Sequence, residues 1–178
     1  MQESNNQKFN HLKIHTQYSI CEGAIKIEKL KDFCKEKKIP CLGLSDTSNL
    51  CGALEFAENI SKSGTQPIIG TQINFKFEDT TGLLPLIALN EKGYKRIIEL
   101  SSRSFLENDA LSDPHLDIKD LLVNMEGVIA LSGTIQGLFG KLFVKGRLEE
   151  ITKLYKNLRS KFNDRFYLEI QRHGDQNE

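Results

Sequence analysis

The chain has 178 residues, of which 39% are hydrophobic, so it is long enough to bury a core, and this excludes a disordered tail. Lys and Arg together number 24, as do Asp and Glu, so the formal net charge of zero excludes bulk electrostatic attraction to nucleic acid. The four cysteines form no CxxC pair, and the sequence shows no apolar leader or membrane span. These features indicate a reduced cytoplasmic location with no membrane partner.

The first strand carries three polar side chains on one face. Residues 1–8 are polar, and we expect them to be disordered, whereas residues 9–15 alternate between polar and apolar side chains. Because successive side chains of a strand point to opposite faces, the polar face carries His11, Lys13 and His15. Without further information, histidines in such positions are more often hydrogen-bonded interior residues than metal ligands.

Strands and helices are predicted to alternate along the rest of the chain. The predicted elements are a helix over 26–37, a strand over 41–44, a helix over 51–62, strands over 67–77 and 83–90, a helix over 91–107, a short helix over 117–124, a strand over 127–133, helices over 136–145 and 147–162, and a strand over 166–171. This rhythm favours an α/β architecture with parallel pairing. Polar residues recur at the carboxyl ends of several strands, which favours a barrel over an open sheet.

Two further polar residues follow predicted strands. Asp46 could be a catalytic carboxylate, but Ser45-Asp46 ahead of residues 47–49 also suits a cap for the next helix, and we favour the cap. His173 could face a cleft at the carboxyl ends of the strands, or it could lie on a surface loop. The chain stops at Glu178 soon after the last predicted strand, and we therefore expect a fragment of a longer protein.

Six segments, in order and at matching intervals, resemble the PHP (polymerase and histidinol phosphatase) domain at the amino terminus of the bacterial DNA polymerase III alpha family. They are HLKIHTQYS (11–19), CEGA (21–24), LGLSDTSNLCGALEF (42–56), PIIGTQI (67–73), IALSGTIQG (129–137) and YLEIQRHG (167–174). The resemblance covers essentially residues 9–174. It implies that residues 9–178 are a PHP domain, a distorted (β/α)7, TIM-barrel-like fold that is truncated here before its last strands. In this family, His, Asp, Glu and Cys ligands hold up to three metal ions at the carboxyl ends of the strands.

The departures from the family pattern fall on its metal ligands. Lys13 stands where the family has a second histidine, and a lysine ammonium has donors only, so it cannot bind a cation. Thr47 replaces a histidine, Gln72 a glutamate and Thr134 a cysteine, and a histidine expected near position 83 is missing. The remaining weak candidates for metal ligation are His11 and Glu22. A last family pair, Asp-x-His, would lie beyond residue 178.

With these departures, the resemblance implies a domain that holds no Zn²⁺ or Mn²⁺ and has no catalytic residues of its own. We expect Lys13 to occupy the place of the cation, with Glu22 as its counter-ion. The parent protein would be a DNA-directed DNA polymerase, a nucleotidyltransferase that uses Mg²⁺ and contacts DNA through later domains. This domain would be structural and would dock the proofreading exonuclease subunit and other replisome subunits. The alternative is a metal-dependent PHP phosphoesterase, acting as an exonuclease or a pyrophosphatase.

Overall fold

The computed structural model describes residues 9–171 and Gly174. Residues 1–8, which we expect to be disordered, and His173 lie outside the described residues. The strands are β1 (His11–Ile14), β2 (Cys41–Thr47), β3 (Gln66–Phe77), β4 (Thr80–Ala88), β5 (Leu116–Asp117), β6 (Val128–Leu131) and β7 (Phe166–Tyr167). The helices are α1 (Ile27–Lys37), α2 (Ala53–Lys62), α3 (Glu91–Leu106), α4 (Leu138–Val144) and α5 (Leu148–Phe162). The short helix predicted near residue 120 is a 3-10 helix, Ile118–Leu122, and β5 was not predicted.

The strands form one sheet in the order β1-β2-β3-β4-β6-β7, and β5 pairs with β3. The first three strands are parallel, as are β6 and β7, but β4 is antiparallel to both of its neighbours. The expectation of parallel pairing is therefore wrong at β4. Only two residues, Glu78 and Asp79, connect β3 to β4, and a loop of that length permits a hairpin but no parallel crossover. Glu78 adopts φ 53, the left-handed conformation used in tight hairpin turns.

The helices cover one face of this sheet. One core cluster packs β1 and β2 against α1 and α2, and a larger one packs β3, β4, β6 and β7 against α3, α4, α5 and the 3-10 helix. On β3, Ile73 and Phe75 are fully buried in the larger cluster, while Gln72 and Asn74 point to the opposite, concave face. The concave face is therefore left for the polar side chains. None of the helices in the described part of the chain is long and apolar enough to span a membrane.

The sheet curls so that its two edge strands approach each other. Side chains from β1, β6, β7 and the residues after β7 line a common groove of about 650 Å³, which we call the edge groove. Among the described residues, β1 and β7 have no backbone pairing with each other. The architecture is an α/β half-barrel, and the barrel is incomplete between β1 and β7.

We expect Phe75→Ala to lower the free energy of unfolding by about 3 to 5 kcal/mol, because the ring is fully buried and its loss leaves a cavity. The matched control is Phe143→Ala, which truncates a ring that is 63% exposed and should change stability by less than about 1 kcal/mol. Urea denaturation of both variants measures the difference. Equal effects in the two variants would contradict the assignment of Phe75 to the core.

Candidate functional site

Polar side chains meet in a cleft at the carboxyl end of β1 and beside the middle of β3. The cleft has a volume of about 400 Å³ and also borders the loop after β6. Its polar lining includes Lys13, His15, Glu22, Gln72, Thr134 and Gln171. Five residues proposed from the sequence thus lie together, although they come from segments up to 121 positions apart, from Lys13 to Thr134. β1, β2, β3 and β6 run in the same direction, and Gln72 of β3 pairs with Thr47, the last residue of β2, so it lies level with the carboxyl end of β2.

Lys13 pairs with a carboxylate that lies far away in the sequence. Its Nζ lies 3.1 Å from Glu169 Oε1, and the two side chains are 17% and 12% exposed. The expectation that Glu22 is the counter-ion of Lys13 is therefore wrong. Glu169 follows β7, at the other edge of the sheet, and only the curl of the sheet brings it beside β1.

Glu22 belongs to a second chain of polar contacts. The hydroxyl of Thr47 donates to the Glu22 carboxylate, and Gln72 Nε2 donates to Thr47 Oγ1 at 2.8 Å. His15 Nδ1 lies 3.9 Å from Glu22 Oε2 and accepts or donates no hydrogen bond within the described residues. Burial lowers the pKa of His15, the Glu22 carboxylate opposes this change, and the Lys13 charge adds to it. His15 is therefore mainly neutral at pH 7, and its contact with Glu22 is not an ion pair there.

Asp46 lies outside the cleft and organises the loop that carries Glu22. Its carboxylate is fully buried and accepts hydrogen bonds from Thr16 N at 2.6 Å, Thr16 Oγ1 at 2.7 Å and Ser19 Oγ at 2.7 Å. The expectation that Asp46 caps the next helix is wrong, because Gly52 is the N-cap of α2 and makes no side-chain cap. The alternation of side chains along β2 explains why Asp46 is buried outside the cleft. Asp46 lies on the helix-facing side of the strand with Leu44, whereas Thr47 faces the cleft.

His11 also lies outside the cleft. It is exposed and lines the edge groove, and its ring is roughly perpendicular to that of Phe9, with 4.8 Å between the ring centroids. His11 precedes Lys13 by two residues in β1. Because a strand rises about 3.3 Å per residue, His11 lies roughly 7 Å further than Lys13 from the carboxyl end of β1. The two weak metal candidates, His11 and Glu22, thus line different cavities. Within residues 9–171, no group of three or more His, Cys, Asp or Glu side chains is placed to hold a metal ion.

Glu169 is the site residue that the sequence reasoning missed. The segment YLEIQRHG carries part of the family resemblance, but nothing in its sequence indicates a role for its carboxylate. The available signal is a single acidic residue between Leu168 and Ile170, within the strand predicted over 166–171. Strand alternation alone could not show which residue it faces, because its partner lies 156 positions away.

The sequence profile of the PHP domain family matches residues 11–173. This chain belongs to the PHP domain family. It is 39% identical over 167 residues to DNA polymerase III subunit alpha of Rickettsia felis, covering 93% of this chain and 14% of that protein. It is 36% identical to the subunit of Caulobacter vibrioides, covering 98% of this chain and 16% of that protein, and 33% identical to that of Vibrio cholerae, covering 94% and 15%. This PHP domain thus spans 14% to 16% of the length of these relatives.

Two solved structures are also similar to this PHP domain. One, described as a metal-dependent phosphoesterase from Bifidobacterium adolescentis, has a TM-score of 0.44 and 14% identity, covering 84% of this chain and 54% of that one. The other is an amidohydrolase from Chromobacterium violaceum, with a TM-score of 0.45, 13% identity, and coverage of 83% and 54%.

We expect Asp46→Ala to lower the free energy of unfolding by about 2 to 4 kcal/mol, because it leaves buried donors of Thr16 and Ser19 without an acceptor. The matched control is Asp117→Ala. It removes the exposed carboxylate that accepts a hydrogen bond from Lys119 N at the start of the 3-10 helix, and it should lower the free energy of unfolding by about 1 kcal/mol. Thermal and urea denaturation measure both. A loss for Asp46→Ala no larger than the control would contradict the anchoring role.

Proposed function

We propose that this PHP domain is a structural domain, without hydrolytic activity of its own, at the amino terminus of a replicative DNA polymerase III alpha subunit. The relatives that it matches bear that name, and the match falls within 14% to 16% of their length. The parent activity is then DNA-directed DNA polymerisation, a nucleotidyl transfer that uses Mg²⁺ in later domains, which also contact the DNA. We also propose a cytoplasmic location, because the relatives that this domain matches are bacterial DNA polymerase subunits.

The observation that carries the non-hydrolytic role is the chemistry of the cleft lining. A hydrolytic metal site needs several ligands with free lone pairs fixed around one point. Here the corresponding positions offer an ammonium at Lys13, an amide at Gln72 and hydroxyls at Thr47 and Thr134. These groups do not fit a site for Zn²⁺ or Mn²⁺, and Glu22 is engaged by the Thr47 hydroxyl. We therefore assign no catalytic residue to this domain.

We propose that further strands of the parent polypeptide complete the half-barrel. The edge groove lies between two parallel strand edges, β1 and β7, and its lining includes the apolar side chains Leu12, Ile129 and Leu131. Strand edges with unpaired backbone groups beside exposed apolar side chains favour pairing with additional strands.

The partner that we propose is the proofreading exonuclease subunit, with other replisome subunits. A surface suited to protein docking lies beside the cleft, where Ile135, Phe143 and Val144 are 61%, 63% and 73% exposed. Ile135 shares one depression with Val144 and another with Phe143. We call these three residues the α4 patch. Clusters of exposed apolar side chains are typical of protein interaction sites.

Replacing the α4 patch by serine in the full-length polypeptide should weaken co-purification with the exonuclease subunit by at least about tenfold, since interface hot spots cost about 2 kcal/mol or more each. The matched control replaces Leu106 and Leu111, which are 83% and 102% exposed at another site, and should leave the association unchanged. Deleting residues 1–178 should abolish it. An association that survives this deletion would refute the docking role.

The phosphoesterase alternative predicts turnover of a chromogenic phosphate ester in the presence of Mn²⁺. We expect the full-length polypeptide to show no turnover above that of a variant carrying His15→Ala and Glu22→Ala, because no group of three ligands converges in the described residues. Colorimetric assay of both proteins makes this comparison. Turnover that this double variant loses would overturn the non-hydrolytic role and support the alternative.

A further inference from the structure

We propose that the Lys13 ammonium links the two edge strands of the described sheet, β1 and β7, to each other through Glu169. This proposal goes beyond the scaffold and docking role, because it concerns how the half-barrel is held at its mouth and is independent of any partner. Lys13 is on β1, the first strand of the sheet, and Glu169 follows β7, the last strand. The ion pair therefore spans the gap that backbone pairing leaves between β1 and β7 among the described residues.

The burial of the pair distinguishes it from an ordinary surface ion pair. The Lys13 and Glu169 side chains are 17% and 12% exposed at an N to O distance of 3.1 Å. Lys92 and Glu126 are also 3.1 Å apart, but their side chains are 73% and 75% exposed. Exposed pairs contribute little to stability, whereas removing one partner of a shielded pair leaves an uncompensated charge away from water. The second pair thus serves as a control that matches the first in distance and differs in burial.

Glu169 is fixed to the far edge of the sheet by its own contacts. Its backbone N–H donates to Ser132 Oγ at 2.9 Å, directly after β6, and Gln171 Nε2 donates to its Oε1 at 3.0 Å. Its Oε2 is buried and has no hydrogen-bond partner within the described residues. Among the described residues, Lys13 is therefore the one cationic partner of this carboxylate. We expect a substitution at Lys13 to alter the stability of β7 as well as that of β1.

The two edge strands are short, so an ion pair between them can contribute substantially to how firmly each is held in the sheet. β1 has four residues and β7 has two, so each is held by few backbone hydrogen bonds. Short terminal strands open more readily than the centre of a sheet. Behind the ion pair lies the apolar lining of the edge groove. We infer that separation of the two edges would also loosen the strands that, in our proposal above, complete the half-barrel at this groove.

Hydrogen exchange monitored by mass spectrometry on the full-length polypeptide tests the fastening. We expect Lys13→Met, which keeps the apolar stem, and Glu169→Gln, which keeps the shape, each to speed amide exchange at least about tenfold in residues 11–14 and also in residues 166–169. The double variant should be no worse than either single variant, because both remove the same interaction. The exchanged pair Lys13→Glu with Glu169→Lys should restore slow exchange at both edges, and the control Lys92→Met should match the parent.

Two results would overturn the proposal. One is that exchange at residues 166–169 stays within about twofold of the parent in both single variants, since a fastening must act on both edges. The other is that the charge-exchanged variant exchanges as fast as the single variants. If Lys13→Met fails to fold, recovery of folded protein by the charge exchange supports the fastening, and failure to recover contradicts it. Retention of exonuclease binding in these variants separates this question from the docking role.

Discussion

The alternation of side chains along curled strands is the constraint on which the rest of the structure depends. On β3 the odd-numbered Ile73 and Phe75 pack against helices, while Gln72 faces the cleft. The same rule separates Asp46, which is buried beside Leu44, from Thr47, which faces Glu22. Because the two faces are chemically independent, polar groups of the concave face can change without a change in the core. The residues of the concave face can therefore differ while the core and the architecture stay the same.

Charge balance in the cleft follows from the same geometry. A carboxylate that is 12% exposed needs a cationic or hydrogen-bonding partner, and Lys13 supplies it at 3.1 Å. Glu22, which is less buried, is satisfied by the Thr47 hydroxyl, and His15 beside it has a lowered pKa because of burial. The two cleft carboxylates, Glu169 and Glu22, thus each have a side-chain partner within the described residues, the Lys13 ammonium and the Thr47 hydroxyl.

Most of the elements, and the α/β class, could be predicted from the sequence, because apolar periodicity reflects which face of each element is buried. The direction of β4 could not be read from an apolar run such as residues 83–90, since apolar strands look alike in either direction; the two-residue loop at Glu78 decides it. The cleft position of Lys13 and Gln72 followed from alternation and family spacing. The partner of Lys13 did not, because the curl of the sheet joins residues 156 positions apart and local patterns carry no information on such contacts.

We propose that side chains, rather than a metal ion, hold the mouth of this half-barrel together. The most direct test is the zinc and manganese content of the purified full-length polypeptide, measured by mass spectrometry after dialysis and compared with a variant carrying His15→Ala and Glu22→Ala. We expect far less than one equivalent of either metal in both proteins. One or more equivalents in the parent, lost in the variant, would contradict this proposal.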